Sequence, residues 1–236
     1  MSSALEKLRR HDLRTPIRPE DTAKLEMGDV VYLSGTIFTG REGFYRRLLD
    51  EGHPLPQGVD ISQINVNFHS SPAVEEIRPP SADGSDPGAY RISATTGTAS
   101  FRFAKWMPRL LGEFGVKCII GKSGLSSEIY KAHFVPNGAT YLLLMGYGLG
   151  AMYGQAIRRV QQVVWREELG LAQAMWILEV ENFGPLIVDC DHQGNSLFEK
   201  LNKQIDERLA AAYEGLPELT LKRLGEVTRY EDEVLS

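Results

Sequence analysis

Three short turns in the chain combine hydroxyl groups with a fixed cation. Ser34-Gly-Thr-Ile-Phe-Thr-Gly-Arg-Glu42 offers Thr36 and Arg41, Thr98-Ala-Ser-Phe-Arg102 offers Thr98, Ser100 and Arg102, and Gly121-Lys-Ser-Gly124 offers Lys122. Each directly follows an apolar run of strand length, which is where α/β proteins tend to place ligand sites. Arginine presents a planar pair of donors and stays charged at any relevant pH, so arginine beside hydroxyls suits a carboxylate. Taken alone, the first turn reads more simply as a strand-to-helix turn with Arg41 on the surface. Gly121-Lys-Ser also looks like the close of a nucleotide P-loop, but that pattern needs glycine where this chain has Val116, and Gly115 stands one place early. ATP hydrolysis is not expected.

A fourth feature, Gly146-Tyr-Gly-Leu-Gly-Ala-Met-Tyr-Gly154, lies between an apolar run and a helical one, with Glu167 or Glu168 downstream at a ribose-binding distance. It raises an alternative function, a nicotinamide-dependent oxidoreductase. Against it, too few residues follow for a second βαβ half, and glycines also allow close helix–strand packing with no ligand. His11, His53, His69, His133 and His192 show no metal spacing, and with only Cys118 and Cys190 they form no recognisable four-ligand zinc set. Cys118 sits in an apolar run and reads as a small buried hydrophobe rather than a nucleophile. No Ser/His/Asp set can be nominated from order alone.

The elements that must position these turns follow from periodicity. Strands are expected at 29–33 and 35–39, 64–68, 90–94, 116–120, 140–145, 163–165, 176–181 and 186–190. Helices are expected at 42–50, 103–114 (with Pro108 awkward unless the helix begins beside it), 126–134 and 150–160. The stretch Arg78-Pro-Pro-Ser-Ala-Asp-Gly-Ser-Asp-Pro-Gly88 reads as a hairpin tip or surface excursion. Ser196-Leu-Phe-Glu199 is a capping-box pattern opening a last helix, whose Leu197, Leu201, Ile205, Leu209 and Tyr213 recur every four residues before Gly215 and Pro217 end it. The alternation is that of an α/β domain with one core.

The chain has 236 residues, 42% of them apolar and 24% charged, as in ordinary globular proteins. Its net charge of -5 argues against a nucleic-acid binder, which normally shows a basic surplus. No run reaches the about 18 apolar residues of a membrane helix. The first residues are Arg-rich without an apolar core, which excludes a secretory signal and leaves an organellar transit peptide or, more simply, a solvated arm that docks on a partner. Cytoplasm is the expected compartment.

Taken together, Thr15-Pro-Ile, Gly28-Asp-Val-Val-Tyr-Leu-Ser-Gly-Thr-Ile-Phe-Thr-Gly-Arg-Glu42, Gly115-Val-Lys-Cys-Ile-Ile-Gly-Lys-Ser-Gly124, Trp165-Arg-Glu-Glu-Leu-Gly170 with Trp176, Phe183-Gly-Pro-Leu-Ile-Val-Asp189 and Asp191-His-Gln-Gly-Asn195 resemble, in order, the β-subunit or C-terminal domain of class I fumarases and L-tartrate dehydratases. The resemblance runs from about Thr15 to Glu199. It implies a three-layer β/β/α domain of the swivelling type, with an arm at 1–14, the domain at 15–215 and a tail at 216–236. It also implies a hydro-lyase that adds or removes water on a short dicarboxylate such as fumarate or tartrate. In that family a [4Fe-4S] cluster on the α-subunit binds substrate, and the β-domain closes over it. A chain with two cysteines agrees with that division, because it could not hold such a cluster from one local site. An αβ heterodimer or α2β2 assembly is the implied partner state.

Carried over by position, the resemblance makes Arg41 and Arg102 carboxylate-binding arginines. Thr98 becomes the hydroxyl implicated in proton transfer at carbon, Lys122 the active-site lysine, and Thr36 and Ser100 further substrate contacts. The departures crowd into the same loops: Glu42 for Asp, Tyr45 for a histidine, Thr96-Gly97 for Gly-Pro, Ala99 for a second threonine, Ser123 for glycine and Ala104 for an acid. They leave the scaffold intact and put the particular substrate in question, pointing to a dicarboxylate bulkier or less symmetric than fumarate. The competing reading is a non-catalytic, partner-stabilising module that kept the scaffold while its loops drifted.

Overall fold

A computed structural model describes residues 9–81, 86, 88–146 and 148–215. Among the described residues nine strands carry the fold: β1 (Arg10–Arg14), β2 (Val30–Thr39), β3 (Val66–Phe68), β4 (Ser70–Arg78), β5 (Ala89–Gly97), β6 (Cys118–Gly121), β7 (Thr140–Leu144), β8 (Ile157–Val164) and β9 (Met175–Cys190). β1, β2, β3, β6 and β7 pair in parallel, in that order, and β7 pairs antiparallel with β9. The long β9 also returns antiparallel along β2, from Phe38↔Ile177 to Val30↔Ile187. The pairings β2–β3–β6–β7–β9–β2 therefore close on themselves, as in a small barrel.

Where one core was expected, two-residue alternation sends the strand side chains into two buried clusters. Val31, Leu33, Ile37, Val66, Phe68, Cys118, Ile120, Leu142, Trp176, Leu178 and Val188 fill one cluster, with every strand of the closed set contributing. The intervening Phe38, Ile119 and Tyr141 join Phe44, Tyr45, Phe103, Trp106, Leu110, Tyr130 and Phe134 in the other. Those partners come from α2 (Glu42–Tyr45), the 3-10 turn Phe101–Trp106, α3 (Met107–Gly112), and the helical run that begins at α4 (Ser127–Ile129) and continues through Phe134.

Several expectations are corrected. Arg10–Arg14, expected within a solvated arm, is a strand on β2, and buried Asp29 holds it by accepting from Arg9 Nε and Nη2 at 3.1 and 2.9 Å and facing His11 Nε2 at 2.9 Å. The helix expected at 150–160 stops after α5 (Gly150–Gln155), because β-branched Ile157, Val160, Val163 and Val164 pair as β8 on β9. The runs at 176–181 and 186–190 are one strand, β9. The helix expected at 103–114 is a 3-10 turn followed by α3, with Pro108 in the first turn, where its missing N–H costs nothing. The Arg78–Gly88 stretch does join the β4–β5 hairpin, although residues 82–85 and 87 lie outside those described.

The last helix, α7 (Leu197–Tyr213), starts as expected: Glu199 N–H donates to Ser196 Oγ at 3.2 Å, while the Glu199 carboxylate accepts from Ser127 N–H instead of closing the box. The chain divides into two compact units, Met1–Lys200 and Leu201–Ser236. In the second, Leu201, Ile205, Leu209 and Tyr213 form an exposed apolar row. Residues 216–236, read as a tail, lie outside the described residues.

The glycines of α5 have a packing reason. A Cβ on Gly154 would stand 2.9 Å from Ala94 Cα and from Ser93 O of β5, and one on Gly150 would meet Thr96 Cγ2 at 3.0 Å. Gly154→Ala is expected to cost about 1–3 kcal/mol of overpacking strain, whereas Gly146→Ala, with nothing within 4 Å, should stay within about 0.5 kcal/mol of wild type. Urea denaturation of the two variants checks this.

Candidate functional site

The three turns named from sequence lie at one edge of the sheet because the strands before them run side by side. Gly40 N–H donates to Phe68 O at 2.9 Å and His69 N–H to Ile120 O at 2.8 Å, so the exits of β2, β3 and β6 are adjacent. The β4–β5 hairpin leaves this edge after β3 and returns to it, where Thr98 N–H donates to His69 O at 2.7 Å. Gly97 lies beside the β6 exit: a Cβ there would be in van der Waals contact, 3.4 Å from Gly121 C and 3.5 Å from Lys122 N.

Thr98 is half-buried and its hydroxyl oxygen accepts from Arg102 Nη2 at 2.6 Å. Both Arg102 and Lys122 are exposed. Thr96, Gly97 and Lys122 line a cavity of about 380 Å³ closed on its other side by Leu144, Met145, Gly146, Gly148, Gly150 and Tyr153. The Tyr153 hydroxyl anchors that wall by donating to Pro185 O at 2.6 Å and accepting from Met145 N–H at 3.2 Å. The structure thus sets the Thr98–Arg102 turn beside the Lys122 turn, with Ser100 N–H donating to Ser123 O at 3.1 Å; Lys122 and the glycine turn after β7 line the cavity, whereas Thr98 and Arg102 are not among its lining residues.

The other nominated residues are placed differently. Arg41 follows the β2 exit, but its Nη1 donates to Ala172 O at 3.2 Å. Thr36 lies inside β2 opposite Glu179 of β9, and its hydroxyl accepts from Gln161 Nε2 at 3.2 Å; it does not reach the strand exits. Ser100, expected at the substrate, is fully buried behind the turn. Its Oγ lies 2.7 Å from His69 Nδ1 and 2.5 Å from the Tyr141 hydroxyl, and its N–H donates to Ser123 O at 3.1 Å. Ser123 N–H in turn donates to the Tyr141 hydroxyl at 3.0 Å. Ser123 holds this geometry at φ 74, a left-handed conformation that glycine adopts without strain. The glycine that the resemblance puts at this position has that physical reason.

Sequence reasoning missed His69 and Tyr141. The only signal for His69 was a histidine directly after an apolar run. It is fully buried, with its ring edge-to-face against Phe103 and Tyr45 at 4.8 and 5.9 Å, and burial pushes its pKa down to about 3. Burial likewise pushes the Tyr141 hydroxyl up. Tyr45, where the resemblance puts a histidine, is fully buried and donates to Asn67 Oδ1 at 2.6 Å, so it braces α2 against β3 rather than facing a ligand.

The donor set does not suit an iron-sulfur cluster. Cys118 and Cys190 are buried in different apolar clusters, burial pushes both thiols up, and among the described residues no group of His, Cys, Asp and Glu is arranged to hold a metal.

With a barrel-like mixed sheet and basic and hydroxyl groups at its strand exits, the chain is similar to known proteins over most of its length. The family model described as Fumarase C-terminus matches residues 1–201. The "Putative L(+)-tartrate dehydratase subunit beta" of Methanocaldococcus jannaschii is 32% identical over 193 residues, covering 80% of this chain and 92% of that protein. The L(+)-tartrate dehydratase subunit beta of Escherichia coli strain K12 is 29% identical over 202 residues, covering 83% and 90%. The "Putative fumarate hydratase class I" of Geobacillus stearothermophilus is 30% identical over 198 residues, 84% of this chain but 35% of the longer protein. The chain belongs to the Fumarase C-terminus family, as a β-subunit-type member of the class I fumarase and tartrate dehydratase group. Among the described residues no helix is long and apolar enough to cross a membrane.

The buried histidine sets a pH dependence. An unfolded chain protonates His69 near pH 6.5, whereas the folded one does so only near pH 3. Between those values the unfolded state binds more protons, so stability is full above about pH 6.5 and is lost as pH falls. Relative to His69→Asn, wild type should lose about 1.4 kcal/mol per pH unit between about pH 6 and 4, read from urea midpoints across that range.

Proposed function

We propose that this chain is the β-subunit half of a hydro-lyase site, acting on a hydroxy-dicarboxylate or its unsaturated partner together with an α-type chain. The observation that carries the reading is the Arg102 guanidinium bonded to the Thr98 oxygen in a turn whose backbone packs on the Lys122 turn, Lys122 itself lining the adjacent cavity. Elimination of water needs a proton removed from the carbon next to a carboxylate, and the negative charge that develops there must be met by fixed cations. A threonine hydroxyl is a poor base in water. Arg102, donating to the Thr98 oxygen, favours its negative form and so lets it take and return that proton.

Lys122 faces the same cavity and suits one carboxylate. Arg41 would exchange its single 3.2 Å bond to Ala172 O for a two-pronged bond to the other. Thr36 is assigned no substrate contact, and Ser100 serves from behind the turn. The apolar Leu144 and Met145 beside Lys122 support a substrate bulkier or less symmetric than fumarate. The implied [4Fe-4S] cluster would belong to the α-type partner, and departure of the hydroxyl is assigned to that side. In this reading the chain is a cap of the swivelling type, and its cavity is completed by the partner. Two of the four glycines that motivated nicotinamide binding, Gly150 and Gly154, are taken up in packing α5 against β5, and a drifting module has no reason to keep a cation on the threonine oxygen.

The test is anaerobic co-expression with the α-type chain, followed by absorbance of a panel of unsaturated dicarboxylates. Turnover of at least one member is expected, and a cluster-bearing complex that turns over none of them, nor any hydroxy-dicarboxylate, overturns the reading. In the active complex, Arg102→Ala and Lys122→Ala should each cost about 2–4 kcal/mol in kcat/KM, and full activity in either removes that residue from the site.

A further inference from the structure

One assignment uses the protons of both buried hydroxyls behind the turns. The Tyr141 oxygen accepts from Ser123 N–H and its own proton goes to its other neighbour, Ser100 Oγ. Ser100 then donates to His69 Nδ1, which places the ring proton on Nε2. Nε2 is buried with no hydrogen-bond partner among the described residues, and the ring stands edge-to-face with Phe103 and Tyr45. An N–H edge can rest against aromatic rings, whereas a charged imidazolium there would be unpaired. The same residue also holds the turn by its backbone, because His69 O accepts from Thr98 N–H at 2.7 Å. His69 therefore grips the Thr98 turn on both sides of Ala99, by its carbonyl at Thr98 and by its ring at Ser100. Through Tyr141 the same chain of bonds reaches the backbone of Ser123, next to Lys122.

We propose that His69 is a positioning residue for Thr98, acting as a neutral, Nε2-protonated imidazole that fixes the turn from behind through Ser100 and Tyr141. It touches no substrate. Its contribution is to hold the Thr98 hydroxyl in register with the lysine turn, where a displacement of about 1 Å can cost about 100-fold in rate. The catalytic part of the proposal rests on the hydro-lyase reading, and the structural part does not.

Two experiments on the full-length protein test it. The first needs no activity. Nitrogen NMR of the histidine side chains should show His69 neutral with its proton on Nε2 from pH 7 down to pH 5. Amide exchange at Thr98 and Ser100 should rise about tenfold or more in His69→Leu and in Tyr141→Phe, with Ile119 and Leu142 unchanged. A charged or Nδ1-protonated ring, or unchanged exchange in both variants, overturns the proposal whatever the enzyme does. The second uses the active αβ complex. His69→Leu should lower kcat about 100-fold with KM changed less than about threefold. His69→Asn, whose amide oxygen can replace Nδ1 as the acceptor from Ser100, should recover most of the loss. His69→Gln, which places its amide near Nε2, should not. Equal kcat in all three variants, or Gln rescuing as well as Asn, overturns the role assigned to Nδ1. A complex with no activity would count against the hydro-lyase reading and leave the NMR and exchange result to decide on His69.

Discussion

One buried oxygen, Ser100 Oγ, lies where loops from different parts of the chain meet. It is bonded to a histidine leaving β3 and a tyrosine within β7, and it sits in the turn that returns from the β4–β5 hairpin. The tyrosine extends the connection to the lysine turn after β6. These segments are separated in sequence, so no local propensity aligns them. The buried chain of hydrogen bonds through the Ser100 and Tyr141 hydroxyls does, because leaving either hydroxyl unpaired there costs free energy comparable to a lost hydrogen bond. The surrounding geometry is tuned to the same constraint: a Cβ on Gly121 would run into both the Tyr141 and Ser100 hydroxyls, so the strand exit has room for glycine alone.

The barrel-like sheet makes this arrangement possible. β2, β3, β6 and β7 run in parallel, so their exits share one edge, and the antiparallel β9 closes the set against β2. Closure stiffens that edge, and the helices packed on the outer core supply the aromatic walls that bury His69. Half-buried Thr98 and exposed Arg102 and Lys122 are carried on turns held from behind by this network. On the proposed hydro-lyase reading this is one preorganised wall of a site whose opposite wall a partner supplies.

Much of this could be read from the residues. The turns at Arg41, Thr98–Arg102 and Lys122 stood out because a hydroxyl and a cation directly after an apolar run make a ready anion site, and this chain repeats that combination three times. Their order carried the family. What was not legible depended on pairing across the sheet. Ser100 looked equivalent to Thr98 in sequence, yet in the folded chain it lies behind the turn, fully buried. Thr36 sat in the right turn by composition but falls within the strand, where Gln161 of β8 engages it. The first part of β8, 157–160, read as the end of a helix while 163–165 read as strand, because nothing local announces that β9 would offer the whole run a free edge. Arg10–Arg14 looked like a solvated arm because it is Arg-rich and lacks an apolar run, and what ties it down lies further along the chain, in its pairing with β2 and in Asp29.

The central claim is that this chain handles the proton at carbon, through Thr98 supported by Arg102, while the hydroxyl departs on the partner's side. Incubating the active complex with its hydroxy-dicarboxylate in D2O, and following the carbon-bound hydrogen by NMR, separates the two events. Thr98→Ala is predicted to abolish hydrogen–deuterium exchange at that carbon while substrate still binds with affinity close to wild type. Exchange at the wild-type rate in that variant would contradict the claim.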